Sequence, residues 1–168
     1  LDTSAFYEIR KQGNVSFGYI ELSTFGTDTA KQVEIALEMF KKKNVQTLVI
    51  DLRDNGGGYL TAATDILDLF FTSDEVIYQM KEKNSAAKKY YAESDKKYEF
   101  ENGYILVNEN TASASELTAG ALQSEKGYQL IGKTTYGKGS AQTQKTLSDG
   151  SVLKYTYAKW RSPNCTCI

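Results

Sequence analysis

The chain contains no histidine, one proline, one tryptophan and two cysteines among its 168 residues. The missing histidine excludes Ser-His-Asp and Cys-His catalysis, histidine-bearing zinc sites and imidazole proton shuttles together. Acid–base chemistry in this chain therefore falls to lysine, a carboxylate, tyrosine or cysteine. Cys165 and Cys167 sit one residue apart, too close for an easy unstrained bridge, and two thiols are too few for a metal cage. No metal site is expected. Lysine and arginine number 20 against 21 acidic residues, a formal net charge of −1. That balance provides no field to gather nucleic acid or an anionic membrane. No apolar run approaches the roughly 18 residues of a bilayer span, and residues 1–20 lack the basic-then-apolar order of a signal peptide. A start at Leu1 reads as a fragment or a processed form.

What is present suits one globular domain over residues 1–168. Hydrophobic residues make up 40% and charged residues 24% of a chain long enough to bury a sizeable core. Residues 1–16 read as an arm or an entering strand, and Phe17 to Leu22 alternates as a strand. Thr27 to Asn44 carries Ala30, Val33, Leu37 and Phe40 at helical spacing, with Thr29 and Gln32 placed for a capping box. Val45 to Asp51 is a short β-branched run, and Leu60, Ala63, Leu67 and Phe70 mark a second amphipathic helix. Strands are expected at Val76–Lys83, Tyr104–Val107 and Tyr128–Ile131, with a helix from Glu116 to Gln123. Residues 84–102, polar and rich in lysine and tyrosine, read as an exposed excursion or hairpin. Asp149-Gly150 marks the turn of a closing hairpin. Alternating strands and helices of this kind imply an α/β fold.

Three loops follow buried strands, and such loops gather into sites in α/β proteins. Gly56-Gly57-Gly58 removes every Cβ from one stretch, which suits either a tight strand-to-helix turn or a cradle of N–H groups for an oxyanion. Ala112-Ser113-Ala114-Ser115-Glu116 has the Ser-x-x-Glu spacing of a helix cap, and equally places a hydroxyl nucleophile at a helix N-terminus. Gly137-Lys138-Gly139 fixes a lysine between glycines. Gly132 to Lys138 comes close to a phosphate-binding loop, but Gly139 stands where a magnesium-binding hydroxyl is needed and a strand follows instead of a helix. With histidine absent, a serine with a lysine base is the nucleophilic pair this composition best supports. An ordinary lysine is almost fully protonated near neutral pH, so a lysine base is expected to lie packed away from water. The residues alone leave Ser113 and Ser115 both open as nucleophile.

In order along the chain come Gly18-Tyr19-Ile20-Glu21-Leu22, Asp51-Leu52-Arg53-Asp54-Asn55-Gly56-Gly57-Gly58, Val107 through Glu116, and Tyr136-Gly137-Lys138-Gly139-Ser140-Ala141-Gln142. Together, across residues 17–163, they resemble the catalytic domain of the C-terminal processing peptidases, also called tail-specific proteases. The resemblance implies an α/β fold of the Clp protease/crotonase-like kind, with a mixed sheet and flanking helices. It implies a serine endopeptidase cutting flexible C-terminal regions of proteins, needing no cofactor or metal. Ser113 is then the nucleophile, Lys138 the general base and Gln142 the residue that orients the lysine. The oxyanion hole is the Ala114 N–H with a glycine N–H, Gly58 favoured over Gly57. Ser115 falls to packing at the helix start. Members usually carry a PDZ-like module ahead of the first of these motifs, and residues 1–16 do not hold one. The resemblance places the protein on the extracytoplasmic side of a bacterial envelope or outside the cell. A non-catalytic module that binds peptides or apolar ligands on the same fold is the alternative. Acyl-CoA chemistry on a glycine oxyanion hole is a third, which leaves the Ser113–Lys138 pairing unexplained.

Overall fold

In the computed structural model, which describes residues 3–95 and 98–164, twelve elements form two sheets and three helices. Cys165 and Cys167 lie outside the described residues. The larger sheet runs in the order β1-β2-β3-β6-β7. Its strands are β1 (Ala5–Gln12), β2 (Val15–Leu22), β3 (Thr47–Asp51), β6 (Asn102–Val107) and β7 (Gln129–Gly132). β1 and β2 form an antiparallel hairpin, so of the arm or entering strand expected at the start it is the strand that forms. From β2 onward every pairing is parallel: Ile20 lies beside Ile50, Ile50 beside Ile105 and Ile105 beside Leu130. Ile20, Leu48 and Ile105 are fully enclosed, which is why these stretches read as unbroken apolar runs.

Parallel strands need crossovers, and three helices supply them. α1 (Thr29–Lys42) turns Val33, Ala36, Leu37 and Phe40 inward and ends on Lys41 and Lys42, where positive charge suits the helix dipole. Its start differs from expectation. Asp28 is the N-cap, and Thr29 and Gln32 reach outward instead of capping. The Thr29 hydroxyl accepts the Gly26 N–H and meets the Ser4 hydroxyl, while Gln32 Oε1 accepts the Ser4 and Ala5 N–H groups. Those side chains pin β1 to the helix, a tertiary use that local spacing does not reveal. α2 (Leu60–Leu67) packs between α1 and α3 (Ala114–Lys126). Phe70, expected on the same helical face as Leu67, is buried just past its end.

A second, antiparallel sheet has the order β5-β4-β9-β8, built from β4 (Val76–Glu82), β5 (Lys88–Tyr91), β8 (Ser140–Thr146) and β9 (Val152–Arg161). β4 and β5 pair as an antiparallel hairpin, so the stretch expected as an excursion or hairpin supplies the second strand to β4. The rest of that excursion is less exposed than its composition suggests. Tyr98 is buried, with its hydroxyl donating to Glu38 Oε1 on α1. β8 and β9 close the fold around Gly150, whose φ of 83° the turn requires. Among the described residues, no helix is long and apolar enough to cross a membrane.

Candidate active site

The carboxyl ends of β3, β6 and β7 lie side by side, so the loops that leave them converge. Residues 52–59 leave β3, residues 108–113 leave β6 and lead into α3, and residues 133–139 leave β7 and lead into β8. Hydrogen bonds tie the three together. Ala112 N–H donates to Asn55 O at 3.1 Å, and Tyr136 N–H donates to Thr111 O at 3.0 Å. The Thr111 hydroxyl, fully buried, donates to Leu52 O at 2.8 Å.

Ser113 is the N-cap of α3 and adopts φ 57°, ψ −117°. This is backbone that L-residues avoid, at a cost of order 1–3 kcal/mol, and such strain persists only where surrounding structure enforces it. Ser113 is half-exposed between buried Ala112 and Ala114. Ser115, by contrast, is fully buried and donates its hydroxyl to Asn55 O at 3.0 Å. Only Ser113 is partly exposed, which separates two serines that spacing alone left equivalent.

Gly57 sits directly against this turn. A Cβ there would lie 2.8 Å from Ala112 O, 3.0 Å from Ala114 N and 3.0 Å from Ser113 Cβ, and the residue's φ is +100°. The Gly57 N–H is already committed to Asn55 Oδ1 at 2.9 Å. Asn55 itself is fully buried and donates through Nδ2 to Leu22 O at 2.7 Å, so one side chain fixes the glycine corner to the end of β2. Gly58, at φ +150°, runs alongside Phe25 in a parallel bridge that uses Gly57 O and Tyr59 N–H. No acceptor meets the Gly58 N–H among the described residues. The Ala114 N–H, at the first helical position, has no intrahelical acceptor.

Lys138 lies on the loop ahead of β8 and lines a cavity of about 570 Å³ together with Gly56, Ala112, Tyr136 and Ser140. The expectation of a lysine packed away from water is not met: Lys138 is exposed. Tyr136, which lines the same cavity, is 69% exposed. Gln142 is also exposed, and its amide donates to the Thr156 hydroxyl across the β8–β9 pairing at 3.5 Å.

Two residues that spacing undervalued hold the arrangement together. Asn55 is one, and nothing in the Gly-rich run singled it out. Glu116 is the other, expected only as half of a capping box with Ser113. It does accept the Ser113 N–H on Oε2 at 2.8 Å, and it is 4% exposed. The same carboxylate also accepts the Gly137 N–H on Oε1 at 2.6 Å and the Lys138 N–H on Oε2 at 2.9 Å. Below the site, Asp51 at the end of β3 receives the Tyr19 hydroxyl at 2.7 Å and the Arg53 guanidinium at 2.6 Å. Burial alone would raise the Asp51 carboxyl, but these hydrogen bonds outweigh it and hold its pKa below the usual carboxylate range. Burial, with the bond to Asp51 second, pushes the Tyr19 phenol up to about 12.

Comparison with known proteins gives this geometry a context. The carboxy-terminal processing protease CtpB of Bacillus subtilis (strain 168) is 39% identical over 164 residues, covering 98% of this chain and 34% of that protein. CtpA of the same organism is 38% identical over 160 residues, covering 95% of this chain and 34% of that protein. The chain thus spans about a third of the length of the curated relatives it matches. Among solved structures, the photosystem II D1 C-terminal processing protease superposes with a TM-score of 0.85 at 27% identity, over 98% of this chain and 45% of that one. Mature CPAF shares the fold, with a TM-score of 0.75 at 11% identity over 98% of this chain and 47% of its own. The mixed sheets and flanking helices are those of the Clp protease/crotonase-like fold, as the sequence led us to expect. Peptidase family S41 matches residues 16–168, and the chain belongs to that family.

Proposed function

We propose that this chain is the catalytic core of a serine endopeptidase that cleaves flexible C-terminal regions of proteins, with Ser113 as nucleophile and Lys138 as general base. The observation that carries the reading is the strained, partly exposed Ser113 at the start of α3, packed on Gly57 and joined through Glu116 to the loop that bears Lys138. A buried scaffold of Asn55, Thr111 and Glu116 fixes these loops before any substrate arrives, which is what electrostatic stabilisation of a transition state requires.

The Ser113 hydroxyl attacks a peptide carbonyl carbon and its proton passes to the neutral Lys138 amine. The carbonyl oxygen becomes an oxyanion, received by the N–H groups of Ala114 and Gly58. Gly57 is left out of that pair because its N–H serves Asn55. The C–N bond then breaks, the lysine ammonium returns the proton to the leaving amine, and water hydrolyses the Ser113 ester by the reverse route. An extended polypeptide laid over the cavity covers Lys138 and excludes water from the reacting groups. Gln142, four residues along the same strand, turns from Thr156 to orient the lysine. The likeness to carboxy-terminal processing proteases supports C-terminal regions of proteins as substrates.

The test is cleavage of an unfolded protein by the intact protein, its Ser113→Ala variant and its Lys138→Ala variant. Both substitutions are expected to remove cleavage, and equal rates in all three would refute the proposal.

A further inference from the structure

Glu116 does more than cap a helix. Its carboxylate lies in the first turn of α3, where negative charge is favoured by the helix dipole, and it is almost wholly buried. Both oxygens are engaged. Oε2 holds the N–H of Ser113 from one loop and the N–H of Lys138 from another, and Oε1 holds the N–H of Gly137. Hydrogen bonds to an ionised acceptor are roughly twice as strong as neutral ones, and here three of them span the two loops that carry the proposed nucleophile and base. A further tie, Tyr136 N–H on Thr111 O, lies two residues before the lysine, and Trp160 N–H donates to Gly139 O one residue after it; within residues 137–139 the carboxylate takes the Gly137 and Lys138 N–H groups. Those residues include two glycines, and Gly137 has φ +82° and open space around it. With Tyr136 tied to Thr111 and Gly139 tied to Trp160, the carboxylate completes the placement of the Lys138 backbone between them.

We infer that Glu116 is a positioning residue for the peptidase reaction: it sets the distance between Ser113 and Lys138 by clamping both backbones to one carboxylate. The inference rests on the Ser113–Lys138 reading. It assigns Glu116 no contact with substrate and no proton transfer.

Glu116→Gln tests it, because a glutamine keeps the shape but offers one acceptor oxygen and turns N–H donors toward one of the loops. In the intact protein, kcat is expected to fall by about 10–100-fold with KM within about twofold, since the loss is one of alignment and not of substrate binding. Amide hydrogen exchange at Gly137 and Lys138 is expected to quicken by about tenfold or more, with β3 and α1 unchanged. Should the glutamine variant fail to fold, Glu116→Asp decides: one methylene shorter, it retains the charge yet cannot reach both loops, and the same pair of changes is expected. A variant whose kcat stays within about twofold of wild type, or whose exchange at residues 137 and 138 is no faster, overturns the inference. Failure of the underlying reading looks different: wild type and Ser113→Ala then cleave alike, while the exchange measurement still reports whether Glu116 holds the lysine loop.

Discussion

Ser113 and Lys138 present their backbone N–H groups to the same atom, Glu116 Oε2, at 2.8 and 2.9 Å. The two residues are 25 positions apart in sequence and sit on loops leaving different strands. A hydroxyl at a helix start and an amine on a glycine-flanked loop are each ordinary. One carboxylate joins the two backbones that carry them.

The strain at Ser113 has a measurable consequence. Ser113→Ala and Ser113→Gly both remove the hydroxyl and should both abolish cleavage. They should differ in stability, because φ 57° with ψ −117° suits glycine and not alanine. The glycine variant is expected to be the more stable by about 1 kcal/mol in urea unfolding. Equal stability, or a more stable alanine variant, would show that the backbone at this position is not held in the strained form.

Asn55 should be costly to remove. Asn55→Ala leaves the Leu22 carbonyl and the Gly57 N–H without partners in a fully buried site. Stranding a buried polar group costs about 1–3 kcal/mol, so a loss of roughly 2–5 kcal/mol is expected in chemical denaturation. Labelling of Ser113 by a serine-directed probe should fall with it. A variant of unchanged stability would contradict the scaffold described above.

Gly57→Ala should act on the site more directly. The added methyl meets Ala112 O and Ser113 Cβ at 3.0 Å or less, on backbone with φ +100°. The Ser113 turn must shift to admit it, and a misplacement of about 1 Å is enough to cost on the order of 100-fold in rate. Cleavage kinetics check this, with a folded variant of wild-type kcat as the contrary outcome.

The Asp51 cluster predicts how stability depends on pH. The Asp51 pKa is lower in the folded chain than the ordinary value of about 3.9, so its contribution is present above that value and is lost as pH falls through the lower folded one. Tyr19 runs the other way: its folded pKa, about 12, exceeds the unfolded value, so its contribution is whole below the ordinary phenol pKa and is lost as pH rises. Wild type should therefore exceed Asp51→Asn in stability at neutral pH, with the gap closing below pH ~4. Urea unfolding across a pH series measures it, and a gap independent of pH would contradict the linkage.

Much of the fold was legible from apolar runs, because Leu48, Ile50, Ile105 and Val107 are buried and the partly covered Val49 and Leu106 between them are apolar as well. Side chains used at a distance were not legible. Thr29 and Gln32 have capping-box spacing but bind Ser4 and Ala5, a partner strand 25 or so residues away. Tyr98 lies in a lysine-rich, polar stretch and is nonetheless buried beside Glu38. At the site, local pattern pointed to the three loops and left Ser113 and Ser115 open, and the bond from the Ser115 hydroxyl to the Asn55 carbonyl was not legible. Glu116 satisfied the cap pattern so completely that its larger role was hidden. Lys138 was expected under cover and stands exposed at a cavity, since burial of a loop residue depends on what lies across from it.

The most direct measurement is the site of covalent modification by a serine-directed fluorophosphonate, mapped by mass spectrometry in the intact protein with and without Lys138→Ala. Modification confined to Ser113, and lost when the lysine is removed, is the predicted result. Modification elsewhere, or at Ser113 at the same rate without Lys138, would contradict the account.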